Sequence, residues 1–281
     1  MFIMKNVLIK DKKAFEQKLN KIKSDGKDSL HVISDFDKTL TKALVKGQKT
    51  HTSIAQIREG GYLSEDYVKK SYTLYDKYRP FETNHKISDE ERDKKMMEWW
   101  SRHIQLLVEQ GMNKKVVEDI IKKKRILLRK GAEDFFKKLY EKNIPLLIFS
   151  AGIGDIIKGH LESKGLLYNN IHIISNFFDY NKKGKVRSYK SKIIHAFNKD
   201  EFAIRETKYF GMIKERKNVI LIGDSLGDVD MAKGIEHEVI LKIGFLNKDI
   251  EENRDVYERN YDALILNDGP MDFIVSMIES I

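Results

Sequence analysis

The stretch Leu30-His31-Val32-Ile33-Ser34-Asp35-Phe36-Asp37-Lys38-Thr39-Leu40-Thr41 ends an apolar run with two carboxylates one residue apart and a hydroxyl just beyond. Leu30, Val32 and Ile33 suit a short buried strand, and side chains two apart on extended backbone point the same way, so Asp35 and Asp37 can face one pocket. Neighbouring carboxylates need a cation or a shared proton. A carboxylate paired with Mg2+ can attack a phosphate monoester to give an acyl phosphate that water then cleaves, which makes Asp35 the candidate nucleophile. Asp37 can protonate the departing alkoxide and later take a proton from water, provided it stays protonated in the first step. The plainer alternative is that both residues merely open a turn after a strand.

Two later segments bear on that choice. Asn218-Val219-Ile220-Leu221-Ile222-Gly223-Asp224-Ser225-Leu226-Gly227-Asp228 is a second apolar run leading into carboxylates spaced by four, with glycines that let the backbone turn closely. Mg2+ takes about six hard oxygen ligands and keeps several waters, so a few carboxylates and a carbonyl from separate strand ends suffice. Asp224 reads as a direct ligand, and Asp228 as a ligand, a water-mediated ligand, an orienting group or simply a complement to a helix N-terminus. Between the two runs, Ile144-Pro145-Leu146-Leu147-Ile148-Phe149 leads into Ser150-Ala151-Gly152 and on to Gly154. A hydroxyl and free amides at a strand-to-helix turn cradle phosphate, although a serine there can also be an ordinary helix cap.

From residue 131 on, apolar runs at 144–149, 171–175, 218–223 and 238–243 alternate with helical stretches, the pattern of a parallel α/β sheet of Rossmann-like type. Such sheets place ligands at the carboxyl ends of their strands. Residues 11–24 read as an amphipathic helix, whereas 44–130 read as helical without convincing strands. Gly60-Gly61 breaks that block, Ser88 with Glu91 signals a helix start, and Gly111 a helix end. The expected division is therefore a catalytic core of 1–43 and 131–281 with a helical cap of 44–130.

With 281 residues and 41% hydrophobic content, the chain can bury one large core and a smaller unit. It has no cysteine, which excludes disulfides and thiolate metal sites. No signal-peptide core opens it, and no apolar run approaches the roughly 20 residues of a membrane helix, so a cytoplasmic location without membrane contact is expected. The net charge of +9 invites a nucleic-acid reading through Lys122-Lys123-Lys124-Arg125 and Lys182-Lys183. Against it stand 43 acidic residues beside the 52 basic ones, and the first lysine run reads as the solvated face of a helix carrying Val116, Val117, Ile120, Ile121, Leu127 and Leu128. No stable nucleic-acid partner is expected; a basic binding protein without turnover is the rival from another class.

The cap would choose the leaving group. Met96, Trp99, Trp100, His103 and Leu107 share one helix face. Such a stripe usually serves a core, and Trp99 and His103 read that way, while Trp100 with His51 can sandwich a nucleobase.

DFDKTLT, SAG, a downstream lysine and GDSLGD resemble the four motifs of the haloacid dehalogenase superfamily of phosphohydrolases. MEWWSRHIQLLVEQG, IFSAGIGDII, SNFFDY, IIHAFNKD, LIGDSLGDVDMAKG and LKIGFLN resemble, more narrowly, the cytosolic 5'-nucleotidase III (pyrimidine 5'-nucleotidase) family, over roughly 30–265. The resemblance implies a haloacid-dehalogenase-type core with an inserted cap. It makes Asp35 the phosphorylated nucleophile and Asp37 the acid/base whose backbone carbonyl also holds Mg2+, with Asp224 as a further ligand and Asp228 supporting the metal. Ser150, with the amides around Ala151 and Gly152, would bind the phosphoryl group. Lys190, in RSYKSKIIHAFNK, matches the lysine that neutralises nucleophile and phosphate. His51 and Trp100 match positions that contact the base. Trp100 stands where pyrimidine-preferring relatives often carry Tyr, and indole stacks well on the cationic ring of 7-methylguanine. The expectation is a monomeric, Mg2+-dependent 5'-nucleotidase acting on pyrimidine or 7-methylguanosine monophosphates, with phosphate transfer to a nucleoside as a corollary. The enzyme alternative is a phosphatase of phosphoserine or another small phosphomonoester.

Overall fold

A computed structural model of the chain describes residues 6–84, 87–199, 204 and 207–281. The apolar start at 1–5 and the final residue of HAFNKD therefore lie outside the described residues.

The chain opens with β1 (Val7–Leu8), α1 (Lys12–Asp25) and β2 (Leu30–Ser34). Between β2 and β5 (Leu146–Ile153) it inserts a small hairpin, β3 (Leu44–Val45) and β4 (Gln48–Lys49), then helices α2 (Ser53–Glu59), α3 (Glu65–Thr83), α4 (Asp89–Glu109), α5 (Lys114–Lys123) and α6 (Ala132–Glu141). After β5 come α7 (Gly154–Ser163), β6 (Ile171–Asn176), β7 (Phe178–Tyr180), β8 (Val186–Tyr189), α8 (Lys208–Ile213), β9 (Asn218–Gly223), β10 (Val239–Leu246), α9 (Ile250–Asn260), β11 (Ala263–Leu266) and α10 (Asp272–Glu279). This is the expected α/β architecture, a Rossmann-like core with an inserted helical cap.

The main sheet runs β1-β11-β10-β9-β2-β5-β6, parallel except for β1 at the edge. All five residues of β2 and all six of β9 are buried, as central parallel strands covered on both faces must be. From β2 the chain goes to β5 and β6 on one side, then returns to β9, β10 and β11 on the other. Strand order thus reverses at β2, and the crevice beyond its carboxyl end is where such sheets bind ligands. Asp35 follows β2, Ser150 lies in β5 and Asp224 follows β9.

Helix boundaries in the cap follow local chemistry. Ser64 and Ser88 accept from the backbone N–H groups of Tyr67 and Glu91, and Asn113 caps α5 through Lys115 and Val116. Gly111, at φ 72°, turns the chain out of α4. Helix α5 ends earlier than its periodicity suggests, because Lys124 adopts the left-handed conformation at φ 50°. Lys124, Arg125, Leu127 and Leu128 are therefore not on that helix, and Leu128 instead bridges to Thr41.

The short strands β1, β3, β4, β7, β8 and β11 were not evident from the sequence, since two to four residues give too few alternations to read. The β7–β8 hairpin does more than extend the core. Val186 donates to the Met112 carbonyl and Lys114 to that of Gly184, each at 2.9 Å, so the hairpin docks on the cap where α4 passes to α5. Among the described residues, no helix is long and apolar enough to cross a membrane.

Cap and core join at two crossing segments. Lys42 donates to Leu127 and Arg129 to Leu40, each backbone bond 2.9 Å long. Arg129 is buried and gathers the loose ends of this crossing. Its guanidinium donates to the carbonyls of Lys38, Thr39, Thr41 and Gly269 and to Asn247 Oδ1, pairs with Asp268 at 3.0 Å, and lies 3.9 Å above the Phe245 ring. Asp268 in turn accepts from the amides of Ala43 and Leu44. Removing one partner of such a buried pair leaves the other charge uncompensated, at about 3–5 kcal/mol. Arg129→Met is expected to lose that much stability in a urea titration; a change within about 0.5 kcal/mol would show that the clamp is not needed for folding.

Candidate active site

Asp35 continues β2, its amide bonded to the Ile222 carbonyl of β9 at 3.0 Å, and is 5% exposed. Lys199 Nζ bridges Asp35 Oδ1 at 2.6 Å and Asp228 Oδ1 at 2.8 Å. Ligand oxygens of Asp35, Asp224 and Asp228 all lie within 4.8 Å of one another. Burial raises the Asp35 carboxyl well above the usual range; Lys199 opposes this, while Asp228 and Asp224 add to it. Burial likewise lifts Asp224 to about 6, against the pull of Lys38. Lys199 is raised as well: burial disfavours its charge, but Asp228 and Asp35 outweigh that and hold the proton on.

Three clustered carboxylates have one ammonium bonded among them, that of Lys199, and every donor is a hard oxygen. That set fits a divalent cation of the Mg2+ type. The Asp224 carboxylate and Asp35 Oδ2 accept no hydrogen bond among the described residues, so these are the oxygens open to metal or substrate. Asp228 is differently occupied. Its Oδ2 accepts from the amides of Asp224 and Ser225 and from Ser225 Oγ, forming a capping box over the short turn Leu226–Asp230, and its Oδ1 is held by Lys199. It organises the loop and the lysine together. Gly223 makes room for it, since a Cβ there would lie 2.4 Å from Asp228 Cβ. Tyr257 and Tyr261 donate to the carbonyls of Asp224 and Ser225.

The lysine beside the candidate nucleophile is Lys199, and the expectation for Lys190 is corrected. Lys190 is exposed at the end of β8, where its amide pairs with the Phe177 carbonyl. Lys199 is 6% exposed and arrives by a stapled loop. Asn176 holds Ile194 by both its amide and its carbonyl, at 2.8 Å each, and also donates to the Ala151 carbonyl. Asn198 ties down His195 and Ile193, and Gly227 packs against the Ala196 carbonyl with no room for a side chain. Nothing in the sequence singles out Lys199 among the neighbouring lysines; which of them reaches Asp35 depends on the loop path.

Asp37 does not join the carboxylate group with its side chain. It turns toward Ser53, the first residue of α2, whose amide and hydroxyl both donate to it. Burial raises the Asp37 carboxyl, and those bonds hold it back. Lys38, the next residue, takes a left-handed φ of 66° to make the turn. Ser150 Oγ accepts from the Gly152 amide at 3.0 Å, leaving its own proton free to donate; it does not cap α7, whose N-cap is Ile153. Gly152 sits among these groups: a Cβ on it would lie 2.1 Å from Ser53 Oγ, 2.9 Å from Asp37 Oδ2 and 3.2 Å from Ser150 Oγ. Ala151 follows with its carbonyl bonded to Asn176.

In the cap, His51 is exposed and paired with Glu59 at 2.7 Å. Trp100 is half-buried, edge-on to His103 at 6.1 Å and tilted against Tyr189 of the docked hairpin at 6.4 Å. No ring contact joins Trp100 to His51 among the described residues. Trp99 stacks on Tyr78, and His103, buried against the Tyr67 hydroxyl, is kept neutral by burial at about 4. Sequence reading missed the aromatic surface on α3, where partly exposed Tyr72 and Tyr75 flank the Arg58 guanidinium.

The chain matches the model of the pyrimidine 5'-nucleotidase (UMPH-1) family over residues 38–281. It is 35% identical to the 7-methylguanosine phosphate-specific 5'-nucleotidase of Homo sapiens, covering 98% of this chain and 92% of that one. It is also 35% identical to the corresponding nucleotidase A of Xenopus laevis, covering 97% and 94%. A crystal structure of cytosolic 5'-nucleotidase IIIB bound to cytidine superposes with a TM-score of 0.87 at 29% identity, over 99% of this chain and 95% of that one. A phosphoserine phosphatase shares the fold at a TM-score of 0.54 and 19% identity, over 88% and 97%. By these matches, the chain belongs to the pyrimidine 5'-nucleotidase (UMPH-1) family of phosphoric monoester hydrolases, built on a haloacid-dehalogenase-type fold.

Proposed function

We propose that this protein hydrolyses nucleoside 5'-monophosphates, 7-methylguanosine and pyrimidine monophosphates foremost, through a phosphorylated Asp35. The observation that carries the reading is Lys199 joining Asp35 to Asp228 beside the Asp224 carboxylate, at the crevice where strand order reverses. Asp35, Asp224 and the Asp37 backbone carbonyl would hold Mg2+, with Asp228 in support; bound there, the ion supplies positive charge to the phosphoryl oxygens. Asp35 Oδ2 attacks phosphorus as the bond to the 5'-oxygen breaks, and Asp37 gives its proton to that oxygen. Ser150 donates to the phosphoryl group, and Lys199 balances the charge of nucleophile and phosphate. Asp37 then takes a proton from water as it cleaves the acyl phosphate, or from a nucleoside hydroxyl, which would make the enzyme a phosphotransferase.

The 7-methylguanosine relatives and the position of Trp100 beside the docked hairpin support a base site lined by Trp100 and His51. A cytoplasmic location fits a chain with a relative named as a cytosolic 5'-nucleotidase.

The test is phosphate release from 7-methylguanosine, uridine, cytidine and guanosine monophosphates, phosphoserine and a sugar phosphate, with Mg2+ and with a chelator. Turnover confined to nucleotides, lost on chelation, is expected. Trp100→Ala should raise KM for the preferred nucleotide roughly tenfold, since a stacked aromatic contributes about 1–3 kcal/mol to holding a base. Equal cleavage of phosphoserine, with Trp100→Ala silent, would transfer the function to small phosphomonoesters.

A further inference from the structure

Ser53 lies sixteen residues beyond Asp37, in the inserted helical segment, and is fully buried. Thr52 caps α2 through the Ala55 amide, which fixes Ser53 as the first residue of the helix with its own amide facing outward. That amide donates to Asp37 Oδ1 at 3.0 Å and Oδ2 at 3.2 Å, and the Ser53 hydroxyl donates to Oδ2 at 2.8 Å. The hydroxyl oxygen accepts from the Ile153 amide at 3.1 Å. One small side chain is thereby satisfied in both directions, between the carboxylate that follows β2 and the phosphate-cradle turn that ends β5. No other hydrogen bond is made to the Asp37 carboxylate among the described residues. The space beside it is filled: the missing Cβ of Gly152 would fall 2.1 Å from Ser53 Oγ.

We propose that Ser53 is a positioning residue for the reaction: seated on the turn at 150–153, it fixes the orientation in which Asp37 delivers its proton to the leaving oxygen. The inference rests on the nucleotidase reading above, because it assigns Asp37 the acid role, but it concerns a residue outside the motifs that carry that reading. It also makes α2 part of the catalytic assembly, since the acid is aimed by the inserted segment and not by the core alone.

A positioning role predicts an effect that depends on the leaving group. A nucleoside 5'-alkoxide is a poor leaving group and needs the proton, whereas p-nitrophenolate leaves without it. Rapid-quench measurement of phosphoenzyme formation therefore separates the cases. Ser53→Ala is expected to slow phosphorylation by the preferred nucleoside monophosphate roughly 10- to 100-fold, part of the full loss expected for a general acid. Phosphorylation by p-nitrophenyl phosphate should change less than about threefold, and nucleotide KM less than about twofold. Asp37→Asn should show the same leaving-group pattern with a larger amplitude, and Ser53→Thr, which keeps the hydroxyl, should recover most of the nucleotide rate. If Ser53→Ala does not fold, Ser53→Cys keeps the side-chain volume while weakening the hydrogen bonds and is read in the same way. Equal losses on both substrates, or no loss on the nucleotide, would overturn the role of Ser53 while leaving the nucleotidase reading intact. Wild-type enzyme that cleaves no nucleotide would overturn the substrate reading alone; comparing alkyl with aryl phosphates would then still decide the role of Ser53. No turnover of any phosphomonoester would overturn both.

Discussion

Asp35→Asn is expected to abolish phosphate release from nucleoside monophosphates, with kcat falling roughly 10^4- to 10^6-fold, the scale seen when a covalent nucleophile is removed. No acid-stable radiolabel should remain on the protein after quenching with labelled substrate. The fold should survive. Asn keeps the volume of the side chain, and Lys199 retains Asp228 as its partner at 2.8 Å. Converting one of three clustered carboxylates to an amide also removes like-charge repulsion that burial otherwise magnifies. Thermal unfolding of the variant without metal should therefore match or exceed that of the wild type. Retained turnover, or a label still carried by the variant, would place the covalent step elsewhere.

Lys199→Ala is the second large effect. It strips the only cation bonded to Asp35 and Asp228 among the described residues, so the attacking carboxylate would meet a phosphate dianion with less charge compensation. Loss of one such preorganised donor costs roughly 10^2- to 10^3-fold in kcat. The same substitution makes the pocket more negative, so metal affinity should rise while turnover falls. A larger Mg2+-induced rise in unfolding temperature than in wild type is the signature to measure. Lys190→Ala, on an exposed side chain nine residues earlier, should leave kcat within about twofold. If Lys190→Ala proved the crippling variant and Lys199→Ala the silent one, the loop path from β8 to Lys199 would be wrong as described.

The contrast between those two lysines shows where sequence information ended. Core parallel strands announce themselves by largely apolar runs, so β2, β5, β6, β9 and β10 were readable, and with them the carboxylates and hydroxyl at or near their carboxyl ends: Asp35, Ser150 and Asp224. Apolar periodicity with Gly60-Gly61, Ser88 and Gly111 as punctuation likewise made the helical insertion readable. In each case the determinant is local, because backbone geometry and burial act on residues adjacent in the chain.

Tertiary structure alone decided which groups meet. Asp35 and Asp37, separated only by Phe36, part company: one carboxylate turns to Lys199, the other to Ser53. Asp228 reads locally as a helix-start acid, which it is, yet its second oxygen accepts from a lysine on the loop between β8 and α8, 29 residues away. Ser53 in Thr52-Ser53-Ile54 carries no motif, and its role exists only because α2 lands on the turn at 150–153. The sequence determined the chemistry available at the strand ends, since that depends on residue type and local backbone. Long-range loop closure, fixed by hydrogen bonds between segments 16 and 164 residues apart, determined the partners of Asp37 and Asp35.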